Sequence, residues 1–92
     1  MKLRQRKKNI RKFLAEKKKH FMGKGVQYIY RFPNGSVVSV IKFEVSERGF
    51  RFGSYGADVG LYELACKDEV LGYLTRNDVI RHLERIKRER LK

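Results

Sequence analysis

The middle of the chain alternates between apolar and polar residues with the period of a β-strand. From residue 26 to residue 32 every second side chain is aliphatic or aromatic, and the same period runs from residue 36 to residue 45. Pro33, Asn34 and Gly35 separate the two segments, and Asn-Gly is typical of a tight hairpin because both residues accept a positive φ. The pattern therefore predicts two antiparallel strands joined by a hairpin turn.

Three shorter segments continue the strand pattern, at residues 50–52, 61–66 and 70–74. A turn is predicted at residues 46–49. Residues 53–60 contain three glycines and are predicted to form an irregular, flexible connection. Together these segments predict an antiparallel sheet of three to five strands.

A capping-box pattern marks the start of a C-terminal helix. Thr75 and Asp78 have the spacing that suits a helix running from Arg76 to about Leu91. Its apolar residues keep the three-and-four spacing of a helix face that packs on a sheet: Val79, Ile80, Leu83 and Ile86. The predicted fold class is therefore α+β, with this helix packed on the antiparallel sheet.

The N-terminal segment predicts a basic helical arm. Its apolar residues fall within one narrow helical stripe: Leu3, Ile10, Leu14 and Phe21. A helix is predicted from residue 2 to about residue 20 once the stripe docks on the body or a polyanion neutralises the other faces, since like charges repel one another in a free helix. Residues 22–25 include two glycines and are predicted to form a hinge.

Positive charge is concentrated at the ends of the chain. Of 92 residues, 23 are Lys or Arg and 10 are Asp or Glu, which gives a formal net charge of +13. Residues 1–24 hold eleven of these bases and a single acid. We therefore predict a basic arm over residues 1–24 and one small domain over residues 25–92. So large an excess of positive charge indicates a polyanionic partner.

The predicted partner is nucleic acid, either DNA or RNA, or a nucleoprotein surface. The predicted binding residues are the bases of the arm and three arginines on one face of the C-terminal helix: Lys2, Arg4, Arg6, Lys7, Lys8, Arg11, Lys12, Lys17, Lys18, Lys19, Lys24, Arg81, Arg85 and Arg88. A solubilising tail and a helix that binds anionic membrane headgroups are alternative interpretations of the arm. The arginine face is equally typical of a solvated helix surface, and no base specificity is predicted.

Aromatic residues at strand spacing have two interpretations. Tyr28, Tyr30 and Phe32 resemble the stacking platforms of sheets that bind single strands, but such stripes are more often part of a core, and the core interpretation is favoured. Tyr55, in the glycine-rich loop, is predicted to be the more exposed aromatic contact.

Catalysis and cofactor chemistry are not expected. A single cysteine, Cys66, excludes an internal disulfide and is predicted to be a buried, inert thiol. His20 and His82 have no carboxylate or thiol at metal-ligand spacing, so no metal site is predicted. Asp68 and Glu69 are adjacent in a turn and do not converge as catalytic carboxylates must.

Four segments resemble small proteins encoded by phages and prophages, a group without an established activity: residues 30–35 (YRFPNG), 54–56 (SYG), 60–65 (GLYELA) and 70–75 (VLGYLT). The likeness spans residues 28 to about 86. The chain departs from the pattern in its longer, more basic arm and in a shorter connection between Cys66 and Val70. The resemblance implies a phage-like origin and a shared small fold, and it implies no mechanism.

The sequence therefore indicates two candidate functions. The first is a non-enzymatic module that binds nucleic acid through the arm. The second is a stoichiometric anti-defence inhibitor of the anti-CRISPR type, which binds a host nuclease or its guide RNA. No apolar run approaches the roughly 18 to 20 residues of a membrane span, and no apolar leader follows the basic N-terminus, so the cytoplasm of a bacterial host cell is the expected location.

Overall fold

The computed structural model describes residues 3–19, 24–47, 49–67 and 69–89. An antiparallel sheet and two helices make the protein α+β, as predicted. The elements are, in chain order, α1 (Leu3–Arg11), β1 (Leu14–Lys19), β2 (Lys24–Arg31), β3 (Val37–Glu47), β4 (Phe50–Gly53), a 3₁₀ turn (Ala57–Val59), β5 (Tyr62–Cys66), β6 (Glu69–Leu74) and α2 (Arg76–Arg88).

The long strand β3 organises the sheet. It has eleven residues, of which residues 37–44 pair with β2 along one edge, while β5 and then β4 share the other edge. The strand order is β1-β2-β3-β5-β6, with β4 beside the far end of β3. Every pairing is antiparallel. All five segments with a predicted strand pattern are strands, and β1 is a sixth, so the sheet has one strand more than the predicted three to five.

The prediction of a helix over residues 2–20 is wrong beyond Arg11. The chain turns at Lys12 and Phe13, and residues 14–19 form β1 against β2. Local propensity favoured a continuous helix, but the edge of β2 offers backbone partners that a free, self-repelling helix of basic residues lacks. Three consecutive lysines also suit an edge strand, because edge lysines discourage further strand pairing.

The formation of strands also alters the predicted hinge at residues 22–25, and the last residue of the predicted apolar stripe is not described. Lys24 and Gly25 begin β2, while Met22, Gly23 and Phe21 lie outside the described residues. A Cβ at Gly25 would lie 2.0 Å from the carbonyl oxygen of Lys42, so this glycine permits close strand pairing.

Both helices cover the same face of the sheet. The core cluster joins Ile10 of α1 to β3, β5 and α2, and its members are Ile10, Phe32, Val38, Val40, Leu64, Cys66, Leu74, Val79, Leu83 and Ile86. The predicted apolar face of α2 is confirmed, since all four of its apolar residues are buried. The helix ends earlier than predicted, at Arg88, because Glu89 has an extended backbone.

The hairpin between β2 and β3 also holds the end of α2. Gly35 alone in this turn has a positive φ, of 89°, so the expectation that Asn34 shares that conformation is wrong. Instead the Asn34 side-chain amide donates hydrogen bonds to the carbonyl oxygens of Ile86 and Glu89, both at 2.8 Å. Its side-chain oxygen accepts a hydrogen bond of 2.9 Å from the backbone amide of Ser36. The Asn34 side chain thus supplies hydrogen bonds to carbonyl groups at the C-terminal end of α2.

The glycine-rich connection is not wholly irregular, which corrects that part of the prediction. It contains a 3₁₀ turn between Gly56 and Gly60, whose φ values are 96° and 78°. Backbone bonds tie the loop to the sheet, since Tyr73 donates to the Tyr55 carbonyl at 3.1 Å and Ser54 donates to Phe43 at 3.1 Å. The glycines supply the left-handed turns that L-residues adopt at a cost.

An irregular register in β6 allows two leucines three residues apart to face the core side. Tyr62 pairs with Leu74 while Leu64 pairs with Leu71, so β6 contains one extra residue at this point. Tyr73 lies in this irregular segment and adopts a left-handed backbone conformation, with a φ of 57°.

Replacing Asn34 by Asp should destabilise the protein by about 1–3 kcal/mol, because the substitution removes the amide donor and places a carboxylate against helix carbonyls. The bond to the Ser36 amide survives the change. Asn77→Asp is the matched control, since it makes the same substitution near the N-terminus of the same helix, where a negative charge is favourable. Urea unfolding of both variants measures the difference, and an unchanged midpoint for Asn34→Asp would contradict the assigned capping role.

The capping box of α2 should make stability fall at acidic pH. Asp78 accepts a hydrogen bond from the Thr75 backbone amide and the Thr75 hydroxyl accepts one from the Asp78 amide, both at 3.1 Å. These bonds to Thr75, with a smaller effect of Arg81, lower the pKa of Asp78 below its ordinary value of 3.8. A lowered pKa in the folded state stabilises the protein above pH 3.8 and ceases to do so as the pH falls through the folded value.

The stability difference between wild type and Asp78→Asn should therefore be largest near neutral pH and shrink below about pH 4. Urea unfolding at several pH values measures it. Asp58→Asn serves as the control for loss of one negative charge, because Asp58 lies in the 3₁₀ turn and makes no side-chain cap there. A difference that stays constant down to pH 2 would rule out the stabilising role of the ionised carboxylate.

Candidate nucleic-acid interface

A groove of about 600 Å³ opens on the helix-covered face of the sheet. The first helix and β1 form one wall, α2 forms the other, and β2, β3 and β5 form the floor. The residues that line it are Lys7, Ile10, Arg11, Leu14, Lys17, Tyr28, Tyr30, Val40, Tyr62, Arg76, Val79, Ile80 and Leu83. Its volume lies within the range of small-ligand sites in proteins.

The wall formed by α1 is fixed by one apolar and one ionic contact. Ile10 is 3% exposed and belongs to the core cluster. Arg6 donates to one carboxylate oxygen of Glu84 in α2 through Nε at 3.0 Å and Nη2 at 2.5 Å. The two contacts tie α1 to α2 and so set the width of the groove.

The turn after α1 is held by aromatic packing. The Phe13 ring packs edge-on against Phe32 at a centroid distance of 5.3 Å. The ammonium groups of Lys12 and Lys87 lie 5.2 and 5.1 Å from the Phe13 ring centre. These cation–π contacts, with the backbone bond from Arg31 to the Phe13 carbonyl at 3.0 Å, fix the direction in which β1 leaves the helix.

A β-bulge decides which side chains of β1 face the groove. Leu14 pairs with Tyr30, but Glu16 pairs with Ile29 and Lys17 with Tyr28, so one residue is extra. Regular alternation from Leu14 would place Glu16 on the groove side. The bulge places Lys17 there instead, and its ammonium lies 5.7 Å from the centre of the Tyr28 ring.

Tyrosine rings form much of the floor. Tyr28 and Tyr30 are half-buried and pack against the core, whereas Phe32 is buried at 5% exposure. The favoured core interpretation is thus confirmed for Phe32, while Tyr28 and Tyr30 combine core packing with a place in the groove. Tyr30 stacks on Phe32 with the ring centres 6.4 Å apart.

The Tyr30 hydroxyl is protonated at neutral pH. Burial raises the pKa of Tyr30 above its ordinary value, Tyr28 adds to the increase, and the nearby positive charge of Arg11 partly opposes it. The floor therefore presents a neutral phenol that can donate a hydrogen bond.

The rim of the groove is positively charged. Lys7, Arg11, Lys17 and Arg76 line it, and no carboxylate is among the described residues of the lining. Within the described ranges none of these four side chains forms an ion pair. Their charge is therefore available to a ligand, and the site suits a group that combines an anion with a flat apolar surface.

The predicted arm residues occupy different places in the structure. Lys7, Arg11 and Lys17 line the groove, while Arg6 is engaged with Glu84. Other arm cations lie nearby on α1, the following turn and β1: Lys8, Lys12, Lys18 and Lys19. Arg4 belongs to α1 and Lys24 begins β2, and Lys2 lies outside the described residues.

The three predicted arginines of α2 do not line the groove. Arg81 pairs with Asp78, and Arg85 pairs with Glu69 at 3.0 Å and Glu89 at 2.8 Å. Arg88 donates to the Glu84 carbonyl at 3.2 Å. The solvated-face interpretation of these arginines thus has direct support in two ion-paired side chains.

Arg76 and Tyr62 line the groove but were not predicted from the sequence, and Lys42 contacts Tyr62 without lining the groove itself. Arg76 is the first residue of α2, directly after the Thr75 cap, and Tyr62 begins β5. The Lys42 ammonium lies 5.0 Å from the Tyr62 ring centre. The strand period placed Tyr62 beside Leu64 and Cys66, but only the pairing of β3 with β5 brings it to the groove.

A second hollow, of about 340 Å³, lies beside the glycine-rich loop. Its lining includes Glu44 and Asp58, so its charge is opposite to that of the groove. Tyr55 is 62% exposed there, in agreement with the predicted exposure of this side chain. The acidic lining makes this hollow a poor site for phosphate.

Cys66 is buried, as predicted. Burial raises the pKa of its thiol, against a smaller opposite effect of Lys67, so the thiolate is disfavoured at neutral pH. No cluster of three or more potential metal ligands occurs among the described residues. In the same part of the chain, neither helix has the length and apolar character needed to span a bilayer.

Comparison with known proteins gave no match among family models, curated proteins or solved structures. The groove itself is therefore the basis for a functional assignment.

Replacing Glu84 by Gln should loosen α1, because it removes the charge that holds Arg6. We expect a loss of roughly 1 kcal/mol in unfolding free energy and faster amide hydrogen exchange in α1. Glu89→Gln is the matched control, since it removes the same charge from an exposed pair with Arg85. Equal exchange rates in α1 for both variants would show that the Arg6 contact does not hold the helix.

Proposed function

We propose that this protein is a non-enzymatic module that binds nucleic acid through its basic N-terminal segment and the groove beside it. The observation that carries the proposal is a rim of four cations around a tyrosine floor. Among the described residues these cations form no ion pair, and no carboxylate lines the groove. Phosphates would neutralise the rim, and the counterions released from the nucleic acid would supply most of the affinity.

The distribution of charge supports this function over a solvated tail. The N-terminal segment is built into the fold through Ile10 and β1, so its cations are held at defined positions on the surface. Preorganised cations lose less conformational entropy on binding than those of a flexible tail. Lys8, Lys18 and Lys19 are also exposed on α1 and β1 and add to the positive surface of the segment.

The resemblance of residues 28–86 to phage and prophage proteins suggests a bacterial host cytoplasm as the place of action. In that setting the partner would be DNA, RNA or a nucleoprotein. An inhibitor that holds the guide RNA of a host nuclease would use the same basic surface and would also bind free oligonucleotides. An inhibitor that contacts the nuclease protein itself would not, and the binding experiment below separates that function from the proposed one.

Binding of labelled duplex and single-stranded oligonucleotides across a salt series tests the proposal. If the four groove cations contact phosphates, the slope of log K against log salt should be about −3 to −4. The triple variant Lys7→Gln, Arg11→Gln, Lys17→Gln should reduce that slope by about 2–3 and weaken binding to every sequence alike.

The triple variant Arg81→Gln, Arg85→Gln, Arg88→Gln is the matched control, because it removes the same number of charges outside the groove. We expect a smaller change of slope, since Arg81 and Arg85 are already paired with carboxylates. Equal effects of the two triple variants would show that net charge alone drives binding. Absence of binding by the wild type at low salt would exclude the module and direct the search to a host protein.

A further inference from the structure

We propose that the groove takes unpaired bases, so that the preferred ligand is single-stranded nucleic acid whose bases stack on Tyr28 and Tyr62. The inference rests on the proposed function and adds the class of nucleic acid and the mode of contact. It rests on the lysine ammonium groups that lie over the two rings and on the position of the rings on the sheet between α1 and α2.

The faces of Tyr28 and Tyr62 are covered by lysine ammonium groups. Lys17 lies 5.7 Å from the centre of the Tyr28 ring and Lys42 lies 5.0 Å from that of Tyr62. A lysine side chain is flexible and strongly hydrated, so it can leave a ring face at little cost. A base that stacks on the ring would displace the ammonium group, which would then pair with the phosphate of the same nucleotide. One cation–π contact would thus be replaced by a stacking contact and an ion pair.

Tyr30 has a different part in the floor. Its ring is stacked on the neighbouring Phe32, which is itself buried, so Tyr30 is held from one side. A tyrosine hydroxyl is protonated at neutral pH, and the raised pKa of Tyr30 does not change this, so the group can donate a hydrogen bond to a base edge or a sugar.

The position of the rings selects against a duplex. They lie on the sheet between α1 and α2, in a groove of about 600 Å³ that admits a group of nucleotide size. The bases of a duplex are paired and stacked on one another, whereas a single strand can turn its bases outward onto aromatic rings. Stacking accepts every base, so the site would have little sequence preference.

The experiment compares a single strand of 15 thymidines with a 15-base-pair duplex at equal salt, measured by fluorescence anisotropy. The variant Tyr28→Leu, Tyr62→Leu removes both rings but keeps apolar volume in the floor. The variant Tyr28→Phe, Tyr62→Phe keeps both rings. Tyr55→Leu removes an exposed tyrosine outside the groove and is the matched control.

We expect the double Leu variant to bind the single strand about 10- to 100-fold more weakly and to bind the duplex within about twofold of wild type. The double Phe variant and Tyr55→Leu should stay within about twofold of wild type on both ligands. Equal losses on the two ligands, or no loss on the single strand, would overturn the stacking assignment while leaving the proposed function intact. A wild type that binds neither ligand would instead overturn the proposed function.

A second measurement needs only the wild-type protein. A single strand that carries 2-aminopurine loses fluorescence when that base stacks on an aromatic ring. Quenching that saturates with protein is expected for the single strand. Saturable binding without any quenching would overturn the inference even if the Leu variant failed to fold.

Discussion

Ile10 is the side chain through which the N-terminal segment enters the core. Burial of such a side chain contributes about 1.5–3 kcal/mol, whereas a nine-residue helix rich in like charges is marginal in water. The helix therefore exists because the core accepts Ile10 and because Glu84 receives Arg6. Both walls of the groove depend on that docking, since α2 without α1 would leave the tyrosines on an open sheet.

The few acidic residues are used in a way that the net charge conceals. On α2 and at the start of β6, carboxylates pair with Arg6, Arg81 and Arg85. The groove receives cations without carboxylates. Exposed pairs of this kind add little stability, but they neutralise positive charge on side chains that do not line the groove. More of the remaining positive charge is then at the groove, where long-range attraction of an anion is useful.

Much of the fold follows from local patterns. Period-two segments predicted β2, β3 and β5, and the Thr75–Asp78 spacing predicted the start of α2, because these signals need no knowledge of distant partners. The end of α1 could not be predicted in this way. Residues 14–19 have the composition of a helix, and only their pairing with β2 makes them a strand.

The candidate site was predictable in part. Its cations in α1 and β1 were visible as charge, and Tyr28 and Tyr30 were visible as an aromatic stripe. Arg76 and Tyr62 were not visible, because a helix start and a separate strand come together with the arm only in the tertiary structure. Asn34 shows the same limit, because its place in a turn could be predicted from the sequence while its hydrogen bonds to α2 could not.

The bulge in β1 has a consequence for how the gene can change. Because the strand contains one residue more than the ladder needs, an in-frame deletion of Ala15 or Glu16 would straighten the strand and leave Lys17 opposite Tyr28. A lineage could lose a codon there and retain the polarity of the groove. An inserted codon would instead add a second extra residue, so this strand should tolerate the loss of one residue better than the gain of one.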